Sequence, residues 1–197
     1  MPMQSFTRAL RKRPVIAAAR DLEGVKSAAA SQSAAIFVLG GSIITLPEMA
    51  RVAKSSGKRV FVHMDLLEGL GHDAAAVEWI AQTTHPDGLI STRAPLLRHA
   101  HKCGLITIQR LFVMDSSSLN HGIRQLRQSR PDMLEVLPGL VPKAISALVM
   151  ALPGSEVIAG GMVTEESDVR AAIRAGAIGV SSSISSLWTL TREEIDP

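Results

Sequence analysis

Two stretches near the carboxy end hold residue types suited to gripping a phosphate: Val157-Ile158-Ala159-Gly160-Gly161-Met162 and Ala175-Gly176-Ala177-Ile178-Gly179-Val180-Ser181-Ser182-Ser183. Gly160 and Gly161 carry no Cβ, so main-chain N–H groups there can approach a ligand closely. Ser181, Ser182 and Ser183 stand ahead of Leu187-Trp188, where they are expected to open a final helix. A helix N-terminus presents unpaired N–H donors and a positive dipole end to an anion. The plainer reading of the same residues is tight turns and a helix cap. Gly40-Gly41-Ser42 repeats the pattern and is read as a turn.

Charged residues follow several apolar runs: Arg20, Asp65 with Glu68, Arg93, Arg110 and Glu135. Asp65 and Glu135 could accept hydrogen bonds from ligand hydroxyls, and the arginines could equally pair with those acids or contact substrate. Hard cations prefer oxygen ligands, yet no group here has a dedicated metal spacing, so neither metal nor cofactor is expected. The six histidines show no metal spacing and no nucleophile partner. Only His63 falls near the end of a strand.

These residues need a scaffold that brings strand ends together. Three segments share one grammar, a helical pattern closed by glycine and followed by a β-branched run, at Gly57, Gly104 and Gly176. Glycine accepts the left-handed conformation that ends a helix. Strands are expected near 15–19, 36–39, 60–64, 88–91, 105–109, 132–136, 157–159 and 178–181. Helical patterns lie between, with Asp73 as an N-cap and with Glu165 and Glu166 in a first turn favoured by the helix dipole. Eight alternations without a linker predict a small, closed, parallel (β/α)8 TIM-barrel-like sheet of the α/β class. An open flavodoxin-like sheet would leave two or three strands unused. In such barrels the chemistry gathers at the C-terminal strand ends, and many hold phosphate on the loops after strands 7 and 8.

Composition agrees with one globular domain. The chain has 197 residues, 46% hydrophobic and 20% charged, with four Phe, two Trp and no Tyr. The core must therefore be aliphatic, as in packed parallel sheets. Residues 1–13 read as a flexible basic extension, 14–190 as the barrel and 191–197 as a tail. Arg8, Arg11, Lys12 and Arg13 precede a short apolar run cut by Arg20-Asp21, below the ~7–15 residues of a signal-peptide core. No run approaches the ~18 residues of a membrane helix. The single cysteine, Cys103, excludes an intrachain disulfide and reads as a small buried hydrophobe. A cytoplasmic location is expected, with no membrane partner. The net charge of +3 permits an anionic partner without demonstrating one. Arg124, Arg127 and Arg130 have helical spacing and could form a cationic stripe for RNA phosphates; a solvated helix face is the plainer reading. A second basic cluster lies at Arg98, His99, His101 and Lys102.

The chain resembles the glycerol-uptake-operon antiterminator regulatory proteins from about Pro14 to Trp188. The marks are Val62-His63-Met64-Asp65-Leu66-Leu67-Glu68-Gly69-Leu70, Asp87-Gly88-Leu89-Ile90-Ser91-Thr92-Arg93, Ile108-Gln109-Arg110-Leu111-Phe112-Val113-Met114-Asp115 and Pro131-Asp132-Met133-Leu134-Glu135-Val136-Leu137-Pro138-Gly139, together with the glycine and serine loops. The resemblance implies a barrel that senses glycerol 3-phosphate and, when loaded, binds leader mRNA to prevent termination. By it, Gly160, Gly161, Ser181, Ser182 and Ser183 would hold the phosphate, and Asp65, Arg93, Arg110 and Glu135 would line the polyol end. A homo-oligomer is compatible with it. The serine run departs from the family in lacking a central threonine, and residues 8–13 fall outside the pattern. RNA binding rests on the resemblance, since no paired aromatics offer stacking platforms for bases. The alternative is an isomerase or lyase acting on a small phosphorylated substrate. A Schiff-base route would need a lysine at a strand end, and Lys143 is the one expected near the mouth. General acid/base chemistry by Asp65 and Glu135 is the other route.

Overall fold

The strand sequences are apolar on both faces, which suits strands covered inside and out. In a computed structural model that describes residues 2–195, the chain alternates as expected. Helix α1 (Pro2–Lys12) precedes β1 (Val15–Ala19), α2 (Leu22–Ala30), β2 (Ala35–Val38), α3 (Leu46–Ser55), β3 (Arg59–His63), α4 (Ala74–Thr84), β4 (Gly88–Ser91) and α5 (Ala94–Lys102). Then come β5 (Ile106–Phe112), α6 (Ser116–Ser129), β6 (Met133–Leu137), α7 (Pro142–Ala151), β7 (Glu156–Gly160), α8 (Glu166–Arg174), β8 (Gly179–Ser182) and a short α9 (Arg192–Ile195). The eight strands pair in sequence order, all parallel, and β8 closes on β1 through Val15↔Val180, Ile16↔Ser181 and Ala17↔Ser182. This is a (β/α)8 TIM barrel.

Two apolar layers hold it together. One lies between strands and helices; the other fills the barrel with residues that include Ile16, Phe37, Phe61, Ile90, Ile108, Met133 and Ile158. Phe37 and Phe61 meet edge to face at 5.5 Å. Their bulk requires Gly88 opposite, where a Cβ would stand 2.6 Å from the Phe61 ring and 2.3 Å from the Ile106 carbonyl oxygen. Helix ends follow the sequence signals: Gly57, Gly104 and Gly176 have φ of 73°, 79° and 103°, and the Asp73 carboxylate accepts from Ala76 N.

Three expectations fail. The described part of the expected extension is not loose, because Pro2–Lys12 form a helix whose Phe6 and Leu10 are fully buried and whose Phe6 ring lies 4.7 Å from Phe61. Spacing of four places both side chains on one face, and that face plugs the N-terminal end of the barrel while Arg11 reaches Glu156 outside. Within the expected tail, Arg192–Ile195 are helical and Ile195 is buried. Cys103 is exposed, because it caps α5 at the surface instead of sitting beneath it.

Candidate functional site

Side chains alternate across a strand, so Ile106, Ile108 and Arg110 of β5 point inward while Thr107 and Gln109 point to the helices. Arg110 and Glu135 are register partners on β5 and β6. Inside the mouth, Arg110 Nε donates to Glu135 Oε2 at 2.8 Å and Ser181 Oγ donates to Glu135 Oε1 at 2.6 Å. Glu135 is wholly buried and the Arg110 side chain is 8% exposed. Gly160 makes this possible, since a Cβ there would stand 2.5 Å from Ser181 Oγ and 2.6 Å from Glu135 Oε1. Its role is room for the buried network, rather than an open approach to ligand.

Above this network lies a cavity of about 200 Å³, walled by Arg20, Arg110 and Glu135, by Gly161 to Thr164 and by Ser181 to Ser183, with Ala18, Leu39 and Leu137 as its apolar part. Gly161 and Met162 both have left-handed backbone, at φ of 74° and 63°. For methionine that conformation costs roughly 1–2 kcal/mol, and such strain gathers at functional loops. Among the described residues, the amides of Gly161, Met162 and Ser183 donate to no protein acceptor. Arg110 uses only Nε toward Glu135, leaving its terminal guanidinium nitrogens without a protein partner.

The serines divide. Ser181 serves Glu135, and Ser182 Oγ donates to the Val163 carbonyl and accepts from Ile184 N. Trp188 Nε1 donates to the Ser182 carbonyl and anchors the loop. Only Ser183 is exposed. The expected final helix is a 3-10 turn, Ser185–Thr189, which begins after the serines. Ser181 and Ser182 belong to β8, so no α-helix N-terminus faces the cavity from this side.

The acids and cations named from sequence also divide. Arg110 and Glu135 line the cavity; Asp65 and Arg93 do not. Asp65 accepts from Ser91 Oγ, Thr92 N and Thr92 Oγ1, each at 2.7 Å, and so clamps β4 to the start of α5. Burial works to raise its pKa, but those bonds and nearby His63 outweigh it and hold the carboxyl below the usual range. Arg93 is exposed at the N-cap position of α5. His63 is 2% exposed and neither ring nitrogen has a partner. Burial first, and then the Arg110 charge, lower its pKa from 6.5 to about 4. Of the arginine stripe, Arg127 donates to the Ala151 carbonyl at the end of α7, Arg130 leaves α6 in left-handed backbone and Arg124 is exposed. Lys143 sits in an outer groove between α7 and α8, away from the mouth. Among the described residues no cluster of His, Cys, Asp and Glu is arranged to hold a metal, and no helix is long and apolar enough to cross a membrane. The left-handed Met162 was not foreseen; the adjacent Gly-Gly was its only signal.

Fold and cavity together define a (β/α)8 barrel with a small, cation-bearing mouth beside the β7 and β8 loops. The chain belongs to the glycerol-3-phosphate responsive antiterminator family, whose model matches residues 15–188. It is 38% identical over 184 residues to the uncharacterised Escherichia coli protein YgcP, covering 93% of this chain and 96% of that one. The crystal structure of a glycerol uptake operon antiterminator regulatory protein from Listeria monocytogenes superposes with a TM-score of 0.85 at 32% identity, over 89% of this chain and 95% of that one. A glycerol uptake operon antiterminator-related protein from Thermotoga maritima gives 0.80 at 31% identity, over 90% and 98%.

Proposed function

We propose that the mouth binds glycerol 3-phosphate as an effector and that the loaded barrel, in the cytoplasm, binds leader mRNA of glycerol-metabolism genes to prevent transcription termination. The observation carrying this reading is a set of donors around one small cavity that have no partner among the described residues: Arg20, the terminal guanidinium nitrogens of Arg110, the amides of Gly161, Met162 and Ser183, and the Ser183 hydroxyl. A phosphate monoester brings close to two negative charges, and Arg20 and Arg110 exceed Glu135 by one. Charge-assisted bonds of this kind are roughly twice as strong as neutral ones. At about 200 Å³ the space lies below the range for drug-sized ligands, which suits a three-carbon phosphate. The polyol would lie toward Glu135, Leu39 and Leu137.

A Schiff-base lyase loses its support here, because no lysine lines the mouth. An acid/base pair of Asp65 and Glu135 fares no better: both carboxylates are already engaged, and Asp65 lies outside the cavity.

The test is calorimetric titration with glycerol 3-phosphate on wild type and Gly161→Val. A Cβ at Gly161 would stand 3.0 Å from Leu137 Cδ2 in backbone that disfavours side chains, so the loop must shift and the amides disperse. Binding by wild type, and affinity weakened at least about tenfold in the variant, are expected; a tenfold loss corresponds to about 1.4 kcal/mol. Unaltered affinity in Gly161→Val would remove the phosphate from this loop. Heat-melting without any glycerol 3-phosphate shift in wild type would remove the effector.

A further inference from the structure

On the flank of the barrel, the C-terminal ends of α5 and α6 enclose a second cavity of about 250 Å³. Arg98, His101 and Lys102 of α5 and Arg130 after α6 form its rim, and Gln109 and Ser129 lie within it. We infer that this cavity is the RNA-docking site and seats a backbone phosphate of single-stranded RNA between Arg98, Lys102 and Arg130, above the Gln109 amide. The inference rests on the antiterminator reading and places its RNA surface.

Two observations carry it. The first is charge. Arg98, Lys102 and Arg130 converge on one cavity, and none of the three has an ion pair among the described residues. Among the described residues, the acid that faces a rim side chain is Asp132. It stands 3.7 Å from His101 Nδ1, but its Oδ2 already accepts from Thr107 N at 2.8 Å and Thr107 Oγ1 at 2.7 Å. Glu78, farther along, is taken by His99. Cations in last helical turns do complement the helix dipoles, yet that benefit needs no cavity between two helices.

The second observation is Gln109. It is 2% exposed, its Oε1 accepts from Ser129 Oγ, and its amide NH2 has no partner among the described residues. That NH2 group opens onto the cavity. An anion entering under three cations supplies the acceptor. Arginine and lysine rims with amide donors are the usual means of gripping nucleic-acid backbone.

The location also links the two sites. Gln109 and Arg110 are neighbours on β5 and face opposite ways, one into this cavity and one into the mouth. A displacement of β5 on occupancy of the mouth would therefore be felt at both sites.

The experiment starts from single-stranded RNA selected from a random pool on the wild-type protein saturated with glycerol 3-phosphate. Fluorescence anisotropy then gives affinity across a salt series. Arg98→Glu/Lys102→Glu, both exposed positions, should bind at least about tenfold more weakly, with the log–log salt slope shallower by roughly 0.7 for each phosphate no longer neutralised. Gln109→Glu, which keeps the acceptor for Ser129, should lose affinity in the same direction, and Lys26→Glu on α2 should match wild type. Unchanged melting temperature and glycerol 3-phosphate affinity in the double variant will show that fold and mouth are intact. Wild-type affinity and slope in Arg98→Glu/Lys102→Glu overturn the docking site while leaving the effector reading standing. A pool that yields no binder to wild type overturns the docking site and the RNA part of the proposed function, while the calorimetric titration decides the effector separately.

Discussion

Replacing Arg110 and Glu135 separately and together distinguishes what the mouth needs for folding from what it needs for ligand. Arg110→Met leaves a wholly buried carboxylate whose remaining bond is from Ser181 Oγ at 2.6 Å. Breaking a buried pair from one side typically costs about 3–5 kcal/mol, because the remaining charge is uncompensated. For a domain of this size each kcal/mol moves the melting temperature by roughly 2–4 °C, so Arg110→Met should melt roughly 6–20 °C lower. Glu135→Gln keeps an acceptor for Ser181 but leaves the guanidinium, 8% exposed, beside a neutral partner. Arg110→Met/Glu135→Gln buries no net charge, and replacement of both partners is often close to neutral. The double variant should therefore be more stable than Arg110→Met and yet show no glycerol 3-phosphate shift on melting. Thermal unfolding by circular dichroism, with and without ligand, measures both. If the double variant is destabilised by the sum of the singles, the pair is not coupled. A ligand shift retained without Arg110 would refute its place in the site.

Two further perturbations test the interior. His63 has its folded pKa near 4 against 6.5 for the free side chain, so between those values the unfolded chain binds more protons and stability rises with pH. That contribution is complete above about 6.5 and should be lost on acidification toward 4, on the order of 3 kcal/mol in all; urea unfolding across this window should show a steeper slope in wild type than in His63→Leu, where only the lowered carboxylates such as Asp65 and Asp87 contribute. Phe6→Ala, which empties a fully buried site against Phe61, should cost about 3–5 kcal/mol while leaving glycerol 3-phosphate affinity unchanged; a melting temperature equal to wild type would mean that α1 does not seal the barrel.

The parts of the fold that local rules control were legible. Glycines at 57, 104 and 176 marked helix ends because the left-handed turn there is a local demand, and all eight apolar runs became strands. Helix α1 was not, because its apolar face amounts to Phe6 and Leu10 among four basic residues at 8, 11, 12 and 13, and a plug is defined by the hole it fills. At the mouth, residue types pointed to the loops, and to Arg110 and Glu135, that line the cavity. Hydroxyl direction was illegible: Ser181 and Ser182 turn to Glu135 and Val163 through bonds that span 46 and 19 residues of sequence. Asp65 was misplaced for the same reason, since its partners Ser91 and Thr92 lie on the next strand's end.

The seat of α1 has a consequence for how the chain assembles. Phe6 lies against Phe61 of β3, and a Cβ at Gly179 of β8 would come within 3.4 Å of Leu10 Cδ2 and 2.8 Å of the Pro14 carbonyl. The receptacle for the earliest helix is thus incomplete until the final strand has joined the first. Closing β8 onto β1 spans most of the polypeptide, and its loop-closure entropy must be met before any burial is gained. Docking of α1 belongs to the close of folding, and a chain arrested before β8 would hold two bare aromatic rings at its floor.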